Sequence, residues 1–250
     1  MTEQERYLFD LQGYLVVPNA LTSDQLTRLN ATLDARIEAE VAPDSMRHRF
    51  GRLLDWGPEY RALLDNETIL PYLEEMLGDD FRLDHEYCDI IRSGAGPVGN
   101  TLHGGGTPFD PGQFYRWDNG RPRCGLTVVA YNLHDVNPGN GGFAAVAGSH
   151  KANAPFPNGW RDLNESHPFV TAVTGPAGAA IIFTEAMTHG TLPWNAPHDR
   201  RTLFYKFSPS EISWSASYYD PDAYADLTPR QRAILEPPNA RYGGRTSRPH

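Results

Sequence analysis

The stretch from Gly125 to His150, "GLTVVAYNLHDVNPGNGGFAAVAGSH", decides the architecture. Two short runs rich in Val, Ala, Phe and Tyr flank a turn dense in Asn, Gly and Pro, which is strand, turn, strand texture. The same texture recurs in "FRLDHEYCDIIR" (81–92), "GAAIIFT" (178–184) and "RTLFYKFSP" (201–209). Short strands repeated between such breaks, without helices alternating among them, predict a sandwich or barrel rather than βαβ units.

Upstream the texture is helical. In "GYLVVPNALTSDQLTRLNATLDARIEAEV" (13–41) a short strand turns at Pro18, after which Leu26, Leu29, Leu33 and Ile37 share one helical face. Thr22 and Gln25 have capping-box spacing and place the helix start there. "PEYRALLDNETILPYLEEMLG" (58–78) predicts two short helices around Asn66, ending at Gly78. "DLTPRQRAILEPP" (226–238) predicts a final helix, with Pro229 in its first turn and Pro237 as its stop. The expectation is one domain over 1–250, mainly β with a helical N-terminal layer (α+β).

Bulk properties narrow the function. With 250 residues, 40% hydrophobic and 21% charged, the chain can bury a substantial core. A formal net charge of -9 repels polyanionic duplexes, and the basic tail "RYGGRTSRPH" (241–250) is too short to reverse that, so no nucleic-acid polymer is expected as a partner. No apolar run approaches the length of a membrane span, and "MTEQERYLFD" lacks the apolar core of a signal peptide, so no membrane partner is expected. The two cysteines, Cys88 and Cys124, form no CxxC, and a reducing cytoplasm is the expected compartment.

The chemistry begins at "TLHGGGTPFD" (101–110). An HGGG turn builds the oxyanion hole of some esterases, but their G-x-S-x-G elbow is missing here, as are the P-loop and the G-x-G-x-x-G fingerprint. A lone histidine in a glycine turn would most simply satisfy a local hydrogen bond. A second histidine changes the balance. His189 follows a strand-like run, and Arg200 comes eleven positions later, at the start of the next. Two adjacent antiparallel strands joined through "LPWNAPHD" would set both side chains on one inner wall. Two imidazoles bind Fe(II) on one face, leaving positions for an oxoacid and O2, and a guanidinium can grip the oxoacid's far carboxylate. Arg201 competes with Arg200 for that task, since neighbouring strand residues face opposite ways.

At this point the chain resembles the phytanoyl-CoA dioxygenase-like family of Fe(II)/2-oxoglutarate enzymes. The likeness lies in "FDLQGYLVVPNALTSDQLTRL" (9–29), "NLHDVNPGNGGFAAVAGSHK" (132–151) and "HGTLPWNAPHDR" (189–200). It implies a double-stranded β-helix (jelly roll), Fe(II) held by His103 and His189, and 2-oxoglutarate clamped by Arg200 with the hydroxyl of Thr191. One departure matters. Where the family has H-x-D/E, this chain has His103, Gly104 and Gly105. It resembles in this respect the halogenases of the same class, in which Gly or Ala replaces the carboxylate and chloride takes the vacated position. The expectation is therefore a halogenase with Gly105 beside the halide site. The alternatives are a hydroxylase whose third ligand comes from elsewhere, such as Asp110, and a non-catalytic binding jelly roll. Asp84, Glu86 and Asp89 sit on an expected strand, where carboxylates are more often solvated or ion-paired than metal-bound.

"SMRHRFGRLLDW" (45–56) collects Arg47, Arg49 and Arg52. Such a cluster can hold a phosphate or carboxylate, with Phe114, Tyr115 or Trp117 available for stacking against a small, nucleotide-like metabolite. A solvated basic turn paired to Asp44 and Asp55 fits equally. His85, His134, His150 and His167 stand at no ligand spacing and are expected to be structural.

Overall fold

The computed structural model describes residues 1–94 and 101–240; the basic tail lies outside the described residues. The chain opens with α1 (Glu3–Gln12), β1 (Tyr14–Val17) and α2 (Ser23–Glu40), and continues through β2 (Arg47–Gly51), α3 (Pro58–Arg61), α4 (Leu70–Leu77) and β3 (Arg82–Ile91). Thereafter it runs mostly in strands: β4 (Tyr115–Asp118), β5 (Arg121–Cys124), β6 (Thr127–Asn132), β7 (Gly142–Ala145), β8 (Thr171–Ala172), β9 (Ala180–Thr184), β10 (His189–Leu192) and β11 (Arg200–Ser208), before α5 (Pro229–Ile234). A six-stranded antiparallel sheet has the order β1-β9-β6-β11-β3-β2, and a three-stranded one the order β10-β7-β8. The mainly β fold with an N-terminal helical layer is as the sequence predicts.

Side-chain parity divides the large sheet into two faces. On β11, Leu203, Tyr205 and Phe207 join Leu29 and Leu33 of α2 in the core between sheet and helices. Phe204 faces the other way, into a second cluster with Phe183 of β9 and Phe143 of β7. That inner cluster joins the two sheets. Arg200, Thr202, Phe204 and Lys206 share its side of β11, opposite Ile91, Asp89, Tyr87 and His85 of β3.

Helix boundaries follow local chemistry. Thr22 accepts from the Gln25 backbone N–H, and the Gln25 side chain accepts from that of Thr22, while Leu29 and Leu33 are fully buried. Asn66 caps the next segment by accepting from Thr68 and Ile69. One expectation is overturned: β10 and β11 are not paired neighbours. β10 pairs with β7, whereas β11 lies between β3 and β6, so the chain crosses from one sheet to the other between His189 and Arg200. The connecting prolines suit a corner and no ladder, because proline donates no backbone hydrogen bond.

Glu86 points into the helical side of β3, where burial pushes its carboxyl up to about 7 despite hydrogen bonds from Leu53, Leu54 and Tyr219. The folded protein thus keeps a proton that the unfolded chain releases near pH 4.5. Folding stability should fall as pH rises from about 4.5 to about 7, by about 3 kcal/mol at most. Glu86→Gln should remove this loss, so that denaturant unfolding shows the variant gaining on wild type steadily across that window. Parallel pH profiles for the two proteins would overturn the assignment.

Candidate active site

His103 and His189 are joined through their backbones. They form an isolated antiparallel bridge, His103 N donating to His189 O at 2.8 Å and His189 N to His103 O at 2.9 Å. Their ring centroids stand 4.3 Å apart with planes at 58°. Imidazoles bound at right angles to one metal, with bonds of roughly 2.1 Å, would place their centroids about 4.5 Å apart. The pair therefore fits a shared ion. The Nδ1 of His103 donates to Thr101 O (3.0 Å) and that of His189 to Met187 O (2.7 Å). A carbonyl can only accept, so these bonds fix the Nδ1–H tautomer and leave each Nε2 with a lone pair, the form a metal requires. Burial depresses the pKa of His189 and favours its neutral ring.

The glycines have a steric reason. Gly104 has φ +73, and a Cβ there would lie 2.8 Å from both Glu185 O and Met187 O. Gly105 has φ +117, and its Cβ would meet Thr188 Oγ1 at 3.1 Å. The loop thus docks directly on the turn leading into β10, and L side chains rarely adopt its backbone conformation.

That turn carries Glu185, which the sequence reading did not consider. Its Oε1 accepts from Lys206 Nζ at 2.6 Å, and its Oε2 lies 3.8 Å from His189 Nε2. Burial opposes its charge; His189, when its ring is protonated, and the Lys206 ammonium hold its pKa below the usual carboxylate range. Glu185 lies four residues before His189, and Lys206 shares the inward parity of Arg200; these are the signals that could have found them. Among the described residues, no three His, Cys, Asp or Glu side chains stand assembled around a metal position.

Histidines and carboxylate open onto a cavity of about 540 Å³, also lined by Thr191, Phe143, Phe183, Tyr87 and Trp214. Arg200 is 3% exposed, beside Gly142, and its Nε has no hydrogen-bond partner among the described residues. Gly142 pairs with Leu192, three residues past His189, which puts the guanidinium roughly 10 Å along the strand from the imidazole. Asp89 is the carboxylate that most favours Arg200's charge, yet Arg49 already grips it through both oxygens, at 2.6 and 2.7 Å. Arg200 lies on the cavity side of β11 but is not among the residues that line the cavity, so it can take the far carboxylate of an oxoacid only if the bound oxoacid reaches past that lining. Arg201 faces outward to Asp34 and Asp199.

Other predicted residues are dispersed. Arg49 lines the cavity with its fork filled, and Arg52 pairs with Asp55. Arg47 lies on β2 at the level of Ile91. The Tyr115 hydroxyl donates to Asp10, and Trp117 is exposed on β4, so neither is brought to the cavity. Asp110 accepts from Gly112 N at 2.6 Å and organises its own turn. Asp84 sits at a β-bulge opposite Lys206 and Phe207, where it accepts from the backbones of Trp214 and Ser215. His134, His150 and His167 each bond a backbone carbonyl. His85 differs, lining the cavity and stacking against Trp214.

The profile of the phytanoyl-CoA dioxygenase (PhyH) family matches residues 9–202, more than half of the chain. The chain belongs to the PhyH family. HygX from Streptomyces hygroscopicus, solved with nickel and 2-oxoglutarate bound, matches this PhyH protein with a TM-score of 0.76 at 22% identity, over 85% of this chain and 89% of that one. HygX with nickel, 2-oxoglutarate and hygromycin B gives 0.73 at 23%, over the same shares of the two chains. SnoK, a non-heme alpha ketoglutarate dependent carbocyclase from nogalamycin biosynthesis, gives 0.62 at 16%, over 84% and 85%. These likenesses establish the shared fold. No curated protein matches the sequence. No helix among the described residues is long and apolar enough to cross a membrane.

Proposed function

We propose that this PhyH-family protein is an Fe(II)- and 2-oxoglutarate-dependent oxygenase acting on a C–H bond of a small molecule. The observation that carries this reading is the pair of backbone-locked imidazoles with free Nε2 atoms. His103 and His189 would hold the iron, and Arg200 would bind the far carboxylate of the oxoacid with help from the Thr191 hydroxyl. Once bound, iron, 2-oxoglutarate and O2 supply the oxidising power. The chain binds and orients the reactants, while Phe143 and Phe183 exclude water around His189.

Adding 2-oxoglutarate to the Fe(II)-loaded protein without oxygen should produce a visible charge-transfer band, and admitting O2 should consume oxoacid. His189→Ala should abolish both, with metal affinity falling by about 100-fold or more. A folded wild-type protein that binds iron but consumes no oxoacid would point instead to the binding-only jelly roll.

Halogen transfer is the second reading, favoured by one observation: Gly105 beside His103 has no side chain to fill a metal position, so chloride could occupy it. For the substrate, Arg49 is the cavity-lining member of the three arginines, but Asp89 holds its fork through both oxygens, so an anionic group would have to displace Asp89 to bind there. The stacked rings of His85, Tyr87 and Trp214, all lining the cavity, offer aromatic surface for the remainder, in place of Tyr115 and Trp117.

A further inference from the structure

We infer that Glu185 supplies the carboxylate ligand that the H-x-G sequence lacks, from the turn before β10 instead of from position 105. The inference rests on the iron-binding reading above, and because no three such side chains stand assembled around a metal position among the described residues, it requires Glu185 Oε2 to turn onto the ion shared by the two imidazoles.

Three observations point to it. First, His189 Nδ1 donates to Met187 O, so in the neutral ring Nε2 carries a lone pair and no proton. The facing Glu185 Oε2 is an acceptor too. Two such atoms 3.8 Å apart, on side chains each 6% exposed, need a positive charge between them, supplied either by a proton on the imidazole or by a metal ion. Atoms each bonded at roughly 2.1 Å to one metal stand between about 3 and 4.2 Å apart, depending on the angle, so this spacing can share an ion.

Second, the other oxygen is held. Lys206 Nζ grips Oε1 at 2.6 Å, and Lys206 is on the cavity face of β11, so the pair aims Oε2 at the imidazole. A ligating carboxylate with its second oxygen hydrogen-bonded is the usual arrangement around a metal.

Third, the glycines place Glu185 where it is. Because Gly104 has no Cβ, the loop carrying His103 comes down onto the carbonyls of Glu185 and Met187. The same backbone gives Gly105 its φ of +117, where an L-residue is strained. The conformation that excludes a carboxylate at 105 thus brings one in at 185. With three protein ligands, the metal has no position reserved for a halide, and oxygen transfer becomes the expected outcome.

Titration with Co(II), followed by its visible spectrum and by calorimetry, tests this on wild type, Glu185→Gln, Lys206→Met and the Glu185→Gln/Lys206→Met double variant. A ligand role predicts that both proteins lacking the carboxylate lose affinity by about 100-fold or more. Lys206→Met, which keeps the carboxylate but removes its outer hydrogen bond, should lose about 10- to 100-fold, less than either protein lacking the carboxylate. A purely structural ion pair predicts equal effects from either partner. The double variant leaves no unpaired buried lysine, so an unfolded Glu185→Gln protein does not block the test. Chloride should leave the wild-type spectrum unchanged and perturb that of Glu185→Ala. Wild-type affinity in the double variant, or a chloride-dependent wild-type spectrum, overturns the inference. Wild type that binds no Co(II) overturns the iron reading itself.

Discussion

Replacing Arg200 by methionine should weaken 2-oxoglutarate binding by roughly a few hundred-fold and raise the melting temperature of the ligand-free protein. Truncating one partner of a buried, hydrogen-bonded charge pair costs about 2–5 kcal/mol, and every 1.4 kcal/mol is about tenfold in affinity. The opposite sign in the free protein follows from the absence of a partner on Nε among the described residues and from a setting near Val136 and Trp194. There a methionine packs, whereas the guanidinium is desolvated. Replacing buried ionic groups by well-packed apolar side chains of similar volume is often neutral or stabilising by about 1–4 kcal/mol, and an unpartnered Nε puts Arg200 at the stabilising end. Thermal melts with Mn(II), with and without 2-oxoglutarate, read both effects. If the oxoacid still stabilises the variant as it does wild type, its carboxylate lies elsewhere. Lys206, the other buried cation on that face, is engaged by Glu185 and is the poorer clamp.

Arg200 also shows how far the sequence could be read. Strand parity allowed only one of Arg200 and Arg201 to face inward and the family likeness chose Arg200, and the structure turns Arg200 to the cavity side and Arg201 to Asp34 and Asp199. The strands from Phe81 onward and the capping of α2 were legible because hydrophobic periodicity and capping are local. What failed was non-local. That β10 and β11 belong to different sheets depends on a corner that periodicity does not encode. Glu185 was passed over although it lies four residues before His189, because its nearness to the glycine loop, about eighty residues away in sequence, is non-local. The arginine cluster was misleading for the same reason: Arg49 meets Asp89 across β2 and β3, a partner forty residues on. Two local signals were simply missed. Thr2 and Glu5 form a capping box that starts α1, and Asn119-Gly120, both at positive φ, make the tight turn between β4 and β5.

Gly104→Ala should be the most damaging single-methyl change in the loop, costing about 3 kcal/mol or more. Positive φ contributes about 1 kcal/mol for an L-residue, and overlap that forces backbone to move contributes about 1–3. At Gly104 the obstacles are two carbonyl oxygens at 2.8 Å, belonging to the turn that bears Glu185 and fixes the His189 tautomer. Relief by displacement would therefore move two candidate metal-binding groups together. Gly105→Ala should be milder, since its Cβ meets only the Thr188 hydroxyl at 3.1 Å. Urea unfolding should rank Gly104→Ala below Gly105→Ala, and metal titration should rank them likewise. The same geometry bears on Gly105→Asp, the substitution that would restore the family's H-x-D. At φ +117 the aspartate must first rebuild its own backbone, so it should lose stability without gaining metal affinity. A stable Gly105→Asp protein with tighter metal binding would show that the loop relaxes freely. The vacancy at 105, rather than Glu185, would then govern the chemistry.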